Sequence, residues 1–248
     1  MAGHSKWAQI KRQKQAADFR KGQIFSKIAR EIHVAVREGG PNPETNVRLR
    51  MAIERAKREG MPKETIENAI LKASGQASGA QEYETIVYEG YGPGGVAIMA
   101  IALTDNRNRT ASEVRHIFSK YGGSLGETGS VAWQFETLGQ IVVATDGHDP
   151  EEIALAAIDA GARDFEVEDD SVVITTEPDQ LSDVVEKLQQ AGYQIRQADI
   201  QRIPTTTVEL EGSQAQSALK LLEALEDLDD VQEVYTNASF PAEVRGAA

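Results

Sequence analysis

Cysteine is absent from all 248 residues, which excludes disulfides, thiolate nucleophiles, iron–sulfur clusters and the usual structural zinc sites. Histidine is nearly as scarce. The four histidines, at positions 4, 33, 116 and 148, have no partner at metal-ligand spacing, so neither a zinc nor an iron site is expected. No stretch approaches the roughly 20 apolar residues that span a bilayer, and the N-terminus is polar and basic, without the apolar core of a signal peptide. The expected setting is the cytoplasm, with no membrane contact. Also missing is any GxxxxGK(S/T) phosphate cradle, which removes nucleotide hydrolysis by that route; no cofactor is expected.

Apolar residues make up 40% of the chain, so substantial cores can form. The distribution of charge carries more information. Residues 1–75 hold 16 Lys and Arg against 8 Asp and Glu, a net of +8, whereas residues 76–248 hold 10 against 31, a net of −21. The whole-chain net of −13 conceals this division. Cations are densest over residues 6–30, where Lys6, Lys11, Arg12, Lys14, Arg20, Lys21, Lys27 and Arg30 face one acid, Asp18. Such a segment suits a polyanion: phosphate backbones are the commonest inside cells, and neutralising them releases condensed counterions. The competing possibility is a solvated basic helix surface.

Residues 1–75 read as a helical domain. Over residues 22–38, Phe25, Ile28, Ala29, Ile32 and Val36 recur at helical spacing, and Gly39-Gly40-Pro41 ends the helix. Asn42 offers an N-cap with Pro43 at the first helical position, ahead of Val47, Met51, Ala52 and Ala56. A third helix starts at Met61-Pro62 and continues through Ile66, Ala69, Ile70 and Ala73. Residues 74–82 have the small polar composition of a linker.

Beyond it the apolar pattern changes to that of strands. Strands are expected at 83–88, 96–103 and 131–135 with a helix over 110–121, and residues 140–203 spell β-α-β-β-α-β, the ferredoxin-like order. The tail, strand 206–210, helix 213–228 and strand 231–235, is too small to stand alone. Joined to 83–136 it makes a second β-α-β-β-α-β unit. The expected architecture is α+β in three domains: an N-terminal helical bundle (1–75), a discontinuous α+β domain (83–136 plus 204–240), and a ferredoxin-like α+β domain (137–203) inserted in it.

Gly90-Tyr91-Gly92-Pro93-Gly94-Gly95 has the GxGxxG spacing of a dinucleotide site, but strand-forming residues lie on both sides and Pro93 suits a turn, so a hairpin loop is expected. The segment 104–113 leaves a strand and enters a helix through a Thr110-x-x-Glu113 capping box. With Arg107 and Arg109 at that helix start, it suits either a phosphate or RNA backbone, or an ordinary capped turn whose arginines pair with carboxylates such as Asp105. Trp7 can stack on a base or anchor the arm by packing. The acidic runs 166–170 and 226–230 read as solvated charge without the register of a calcium loop.

The strings AGHSKWAQIKRQKQAADFRKGQIFSKIAREI, GGPNPETNVRLRMAIERAKREGMPKETIENAI, YEGYGPGGVAIMA and TDNRNRTASEVRHIFSKYGGSLGETGSVAWQF closely resemble the YebC family, from residue 2 to about residue 240. The resemblance implies three domains around a wide cleft and no enzymatic activity. Bacterial members are generally described as probable transcriptional regulators that bind DNA; mitochondrial relatives are translational activators, and some bacterial ones act at the ribosome. The matching positions are His4, Lys6, Trp7, Lys11, Lys14, Lys21 and Lys27, then Arg48, Arg50 and Lys57, then Arg107 and Arg109. With Arg12 and Arg20, these form the candidate nucleic-acid-binding set.

Two functions follow from different physics. One is a DNA-binding regulator of transcription, although no helix-turn-helix with an evident recognition helix stands out. The other is a ribosome- or RNA-binding translation factor whose basic arm grips ribosomal RNA. An enzyme acting on nucleic acid needs paired carboxylates with a metal, and only Glu209 and Glu211 hint at one. The expected partner is nucleic acid, DNA or ribosomal RNA, with the ribosome as a further candidate, and the expected state is a monomer.

Overall fold

The computed structural model describes Trp7, residues 21–75 and residues 82–241. Phe135–Thr205 forms one compact unit, and the described residues of Ser5–Gln134 and Thr206–Ala248 form another.

Three helices open the second of these: α1 (Lys21–Gly39), α2 (Val47–Arg58) and α3 (Lys63–Ala73). Ile28, Ile32, Ala35 and Val36 of α1 bury against Leu49, Ala52 and Ala56 of α2, with Met61, Ile66 and Ala73 closing the core. Gly40, at a φ of +82°, lets the chain leave α1 in the left-handed conformation that glycine tolerates. The expected cap at Asn42 is corrected. Asn42 instead bends the chain, its Oδ1 accepting from the Glu44 amide at 2.9 Å. Asn46 caps α2: its Oδ1 accepts from the Leu49 amide at 3.0 Å while its Nδ2 donates to the Ala35 and Gly40 carbonyls at 2.7 and 2.9 Å. This side chain therefore ties the start of one helix to the end of the previous one. The shifted start also changes the buried face, so that Leu49 is fully buried and Met51 only half-buried.

The same unit holds a four-stranded sheet. Its strands are β1 (Glu84–Tyr91), β2 (Ala97–Thr104), β3 (Ser124–Leu125) and β9 (Val231–Thr236), in the order β3-β1-β2-β9 with every neighbour antiparallel. Helices α4 (Arg107–Lys120) and α7 (Gly212–Glu226) supply Val114, Phe118, Leu221, Leu222 and Leu225 to the core against Ile98, Ala100, Ala102 and Val234. Residues 92–96 close a β1–β2 hairpin, the Gly92 amide donating to the Val96 carbonyl at 2.8 Å, so the GxGxxG spacing is a turn. A strand does not form over 131–135 as expected. The amides of Val131 and Ala132 donate to the Glu89 carboxylate and are lost to any ladder. The sheet's outer strand is the glycine-flanked β3 instead, too short to leave an apolar pattern. The strand expected over 206–210 shortens to β8 (Val208–Glu209), which pairs in parallel with β10 (Ala238–Ser239) outside the main sheet.

The other unit runs β4 (Phe135–Ala144), α5 (Pro150–Ala160), β5 (Asp164–Val167), β6 (Ser171–Thr176), α6 (Leu181–Gln190), β7 (Ile195–Pro204). Its antiparallel order β5-β6-β4-β7 is the ferredoxin-like arrangement. The first sheet has the same layout with a different connection. There β1, first in the chain, takes the place that β6 fills here, so its chain order is not the simple β-α-β-β-α-β expected for 83–136 plus the tail. Both units are α+β in construction.

Candidate nucleic-acid interface

The cations of residues 21–120 divide into two sets by the partners the fold gives them. Arg50 and Lys57 lie seven residues apart on α2, two helical turns, and so share one face. Both are exposed, and among the described residues neither has an ion-pair partner. Glu54 lies between them on that face, and Arg58 beside it adds a further exposed cation. Arg48, on the adjoining face, pairs with Glu38 at the end of α1 and remains half exposed. This surface offers mobile charge, with guanidinium groups able to grip phosphate oxygens in pairs.

The second set is consumed internally. Lys27 of α1 donates from Nζ to the Glu226 carbonyl at 2.6 Å, at the C-terminus of α7, where a cation satisfies an orphan carbonyl and meets the negative end of the helix dipole. Arg30, one turn on, donates to the Asp229 carbonyl and pairs with the Asp230 carboxylate at 3.0 Å. Arg55 of α2 bridges Glu31 at 3.2 Å and Glu233 of β9 at 3.4 Å. Tyr83 completes this contact, with the Arg30 guanidinium 5.8 Å from its ring centre and the His33 ring edge-on at 5.3 Å.

Asp230 is the hub of the contact. Only 4% exposed, it accepts from Arg109 Nη2 at 2.7 Å and from Thr110 Oγ1 at 2.7 Å, besides its pairing with Arg30. Burial pushes its carboxyl up, but the hydrogen bonds of Arg109 and Thr110 and the charge of Arg30 outweigh that and hold it below the ordinary carboxylate value. The Arg109 guanidinium is raised in turn, by its hydrogen bonds to Asp230 first and to Asp105, 3.0 Å away, second.

The helix start at 104–113 consequently takes the form of a capped turn with paired arginines. The cap is Asn106, whose Oδ1 accepts from the Arg109 amide at 3.1 Å, not Thr110 as the capping-box spacing suggests. Thr110 lies one turn inside α4 with its hydroxyl committed to Asp230. Arg107 is 67% exposed and only loosely paired with Glu84, at 3.8 Å.

Trp7 is 2% exposed and packs in the core under α4 and α7, its ring centre 6.4 Å from that of Phe240. Of the two roles open to it, the geometry gives it the packing one, because a buried ring offers no face to a base. His4, Lys6, Lys11, Arg12, Lys14 and Arg20 lie outside the described residues. Lys21 opens α1.

Sequence reasoning missed Asp230. The run 226–230 reads as solvated acid, and nothing local marks its last member as buried; the one available sign is that it immediately precedes the apolar strand β9. The run 166–170 behaves more as expected, with Asp170 exposed and paired to Arg196 at 2.7 Å. Among the described residues, no cluster of three or more His, Asp or Glu side chains is placed to hold a metal ion. None of their helices is long and apolar enough to cross a membrane.

The family model described as the TACO1/YebC protein N-terminal domain matches residues 5–76, and that described as the TACO1/YebC second and third domain matches residues 83–238. A protein of Thermomicrobium roseum named "Probable transcriptional regulatory protein" is 94% identical over 247 residues, covering 100% of each chain. One of the same name from Thermotoga maritima is 54% identical over 238 residues, covering 96% of this chain and 93% of its own. Among solved structures, a conserved hypothetical protein from Aquifex aeolicus superposes with a TM-score of 0.84 at 49% identity, covering 90% of this chain and 92% of that one.

Proposed function

The chain belongs to the TACO1/YebC family, and on that premise we propose that it is a non-enzymatic nucleic-acid-binding regulator of gene expression, a DNA-binding regulator of transcription. It works in the cytoplasm as a monomer, through three domains: 1–75, 83–136 with 204–240, and 137–203. The supporting observation is the unpartnered Arg50 and Lys57 face of α2 in a domain of net charge +8. Together with Lys6, Lys11, Arg12, Lys14, Arg20 and Lys21, it supplies the cations that neutralise phosphates. Fluorescence anisotropy of the full chain with promoter and random duplexes, repeated across salt concentrations, tests this. Preference for promoter DNA is expected, and equal affinity for random duplex overturns the transcriptional reading.

A second reading has an observation of its own. Helices α2 and α3 are joined by a four-residue turn, as in a helix-turn-helix, yet the outer face of α3 exposes Glu64 and Glu67 beside Lys63 and Lys72. A recognition helix with carboxylates on its outer face is poorly suited to enter a groove lined by phosphates. Backbone gripping by α2 and the arm fits shape recognition of RNA, in a translation factor bound to ribosomal RNA. Co-sedimentation with ribosomes at low salt, lost at high salt, supports this alternative.

A further inference from the structure

Trp133 is 73% exposed, more than any other large apolar side chain among the described residues. An indole left in water usually sits on a mobile loop; this one is held from three sides. Glu89 of β1, itself 3% exposed, accepts hydrogen bonds from the amides of Gly129, Val131 and Ala132 at 2.8, 2.9 and 2.8 Å, fixing the turn before the ring. The indole Nε1 donates to the Ser130 carbonyl at 3.1 Å, and the half-exposed Tyr91 donates from its hydroxyl to the same oxygen, also at 3.1 Å. After the ring, Gln134 Oε1 accepts from Nδ2 of the buried Asn237, whose Oδ1 accepts from the Ala97 amide of β2. A carboxylate and a carboxamide have thus been taken out of water to immobilise a loop whose exposed tryptophan packs into no core.

We propose that Trp133, with Tyr91 beside it, is a stacking platform for an unpaired nucleobase; the proposal rests on the nucleic-acid reading above and adds a base contact to it. Two features favour a base over a protein partner. The loop residues before Val131, namely Gly126, Glu127, Thr128, Gly129 and Ser130, are small or polar, so this segment supplies no apolar rim of the kind that surrounds an aromatic anchor. Shared hydrogen bonding to one carbonyl also fixes the ring before any ligand arrives, so stacking loses little side-chain freedom, and every base has a face to offer.

The chain has two tryptophans, and the other, Trp7, is buried, so contact quenching by a stacked base reports on Trp133, and the emission that remains in W133F is that of Trp7. The full chain is titrated at low salt with oligothymidylate, with oligouridylate and with a duplex. Emission and the anisotropy of the labelled oligonucleotide are followed together, for wild type, W133F and W133L. Expected is saturable quenching by a single strand in wild type. W133L should bind the single strand about tenfold more weakly with an unchanged salt slope and melting temperature, and W133F should retain most of the affinity. The deoxyribo and ribo arms tell which nucleic acid supplies the base. Single-strand binding with unchanged emission and with W133L equal to wild type overturns the platform while leaving the nucleic-acid reading intact, as does binding to duplex alone. No binding to any of the three overturns both.

Discussion

Arg50 and Arg30 sit on neighbouring helices of one small bundle and have opposite fates. Arg50 stands in solvent on the outer face of α2, while Arg30 is spent on Asp230 and the Asp229 carbonyl at the turn between α7 and β9. The same division recurs among the described cations: Lys57 resembles Arg50, whereas Lys27 and Arg55 resemble Arg30. The excess of positive charge in residues 1–75 is therefore divided. Part of it attaches the bundle to the acidic tail of the chain, while Arg50 and Lys57 on α2 stay exposed without an ion-pair partner among the described residues. A count of lysines and arginines cannot separate these parts, because the separation depends on contacts between residues about 200 positions apart.

The largest expected effect breaks the internal set. Asp230→Ala leaves Arg30, Arg109 and Thr110 without their common acceptor and should cost about 3 kcal/mol, read by denaturant unfolding of the full chain. Next comes the available set. Replacing Lys6, Lys11 and Lys14 together with Ala should weaken nucleic-acid binding about thirtyfold and flatten the salt dependence by roughly 0.7 to 0.9 per lost phosphate contact; an unchanged slope removes the arm from the interface. Arg107→Ala, at an exposed and loosely paired position, should change stability by less than about 0.5 kcal/mol.

The subtlest effect is the acid limb. The folded Asp230 carboxyl lies below its ordinary value, so its stabilisation is complete above the unfolded-state carboxylate value, near 4. It is lost as pH falls through that value toward the lower folded one. Asp230→Asn should therefore flatten the loss of stability below about pH 4 relative to wild type. A parallel acid limb in the variant assigns the loss to other carboxylates.

Much of the fold was legible because its signals are local. The amphipathic spacing of Ile28, Ile32 and Val36, the Gly-Gly-Pro stop after α1 and the strand patterns of residues 140–203 need only neighbouring residues to be read. Errors arose where a side chain was claimed from a distance. Val131 and Ala132 have the character of strand residues, but Glu89, 42 positions from Val131, takes their amides. Asn46 outcompetes Asn42 as a cap because its amide also reaches back to α1. The candidate site was legible as charge and only partly as availability: the Asp105 partner of Arg109 lies four residues away and could be read, whereas the buried Asp230, 121 positions on, could not.

The most direct measurement compares the salt dependence of nucleic-acid binding in wild type, in Arg50→Ala/Lys57→Ala and in Arg109→Ala, each checked by circular dichroism to be folded. If exposed cations of the basic domain make the phosphate contacts, the double variant has a slope shallower by about 1 to 2 and Arg109→Ala retains the wild-type slope. A slope lost in Arg109→Ala and preserved in the double variant would contradict this and move the interface to the start of α4.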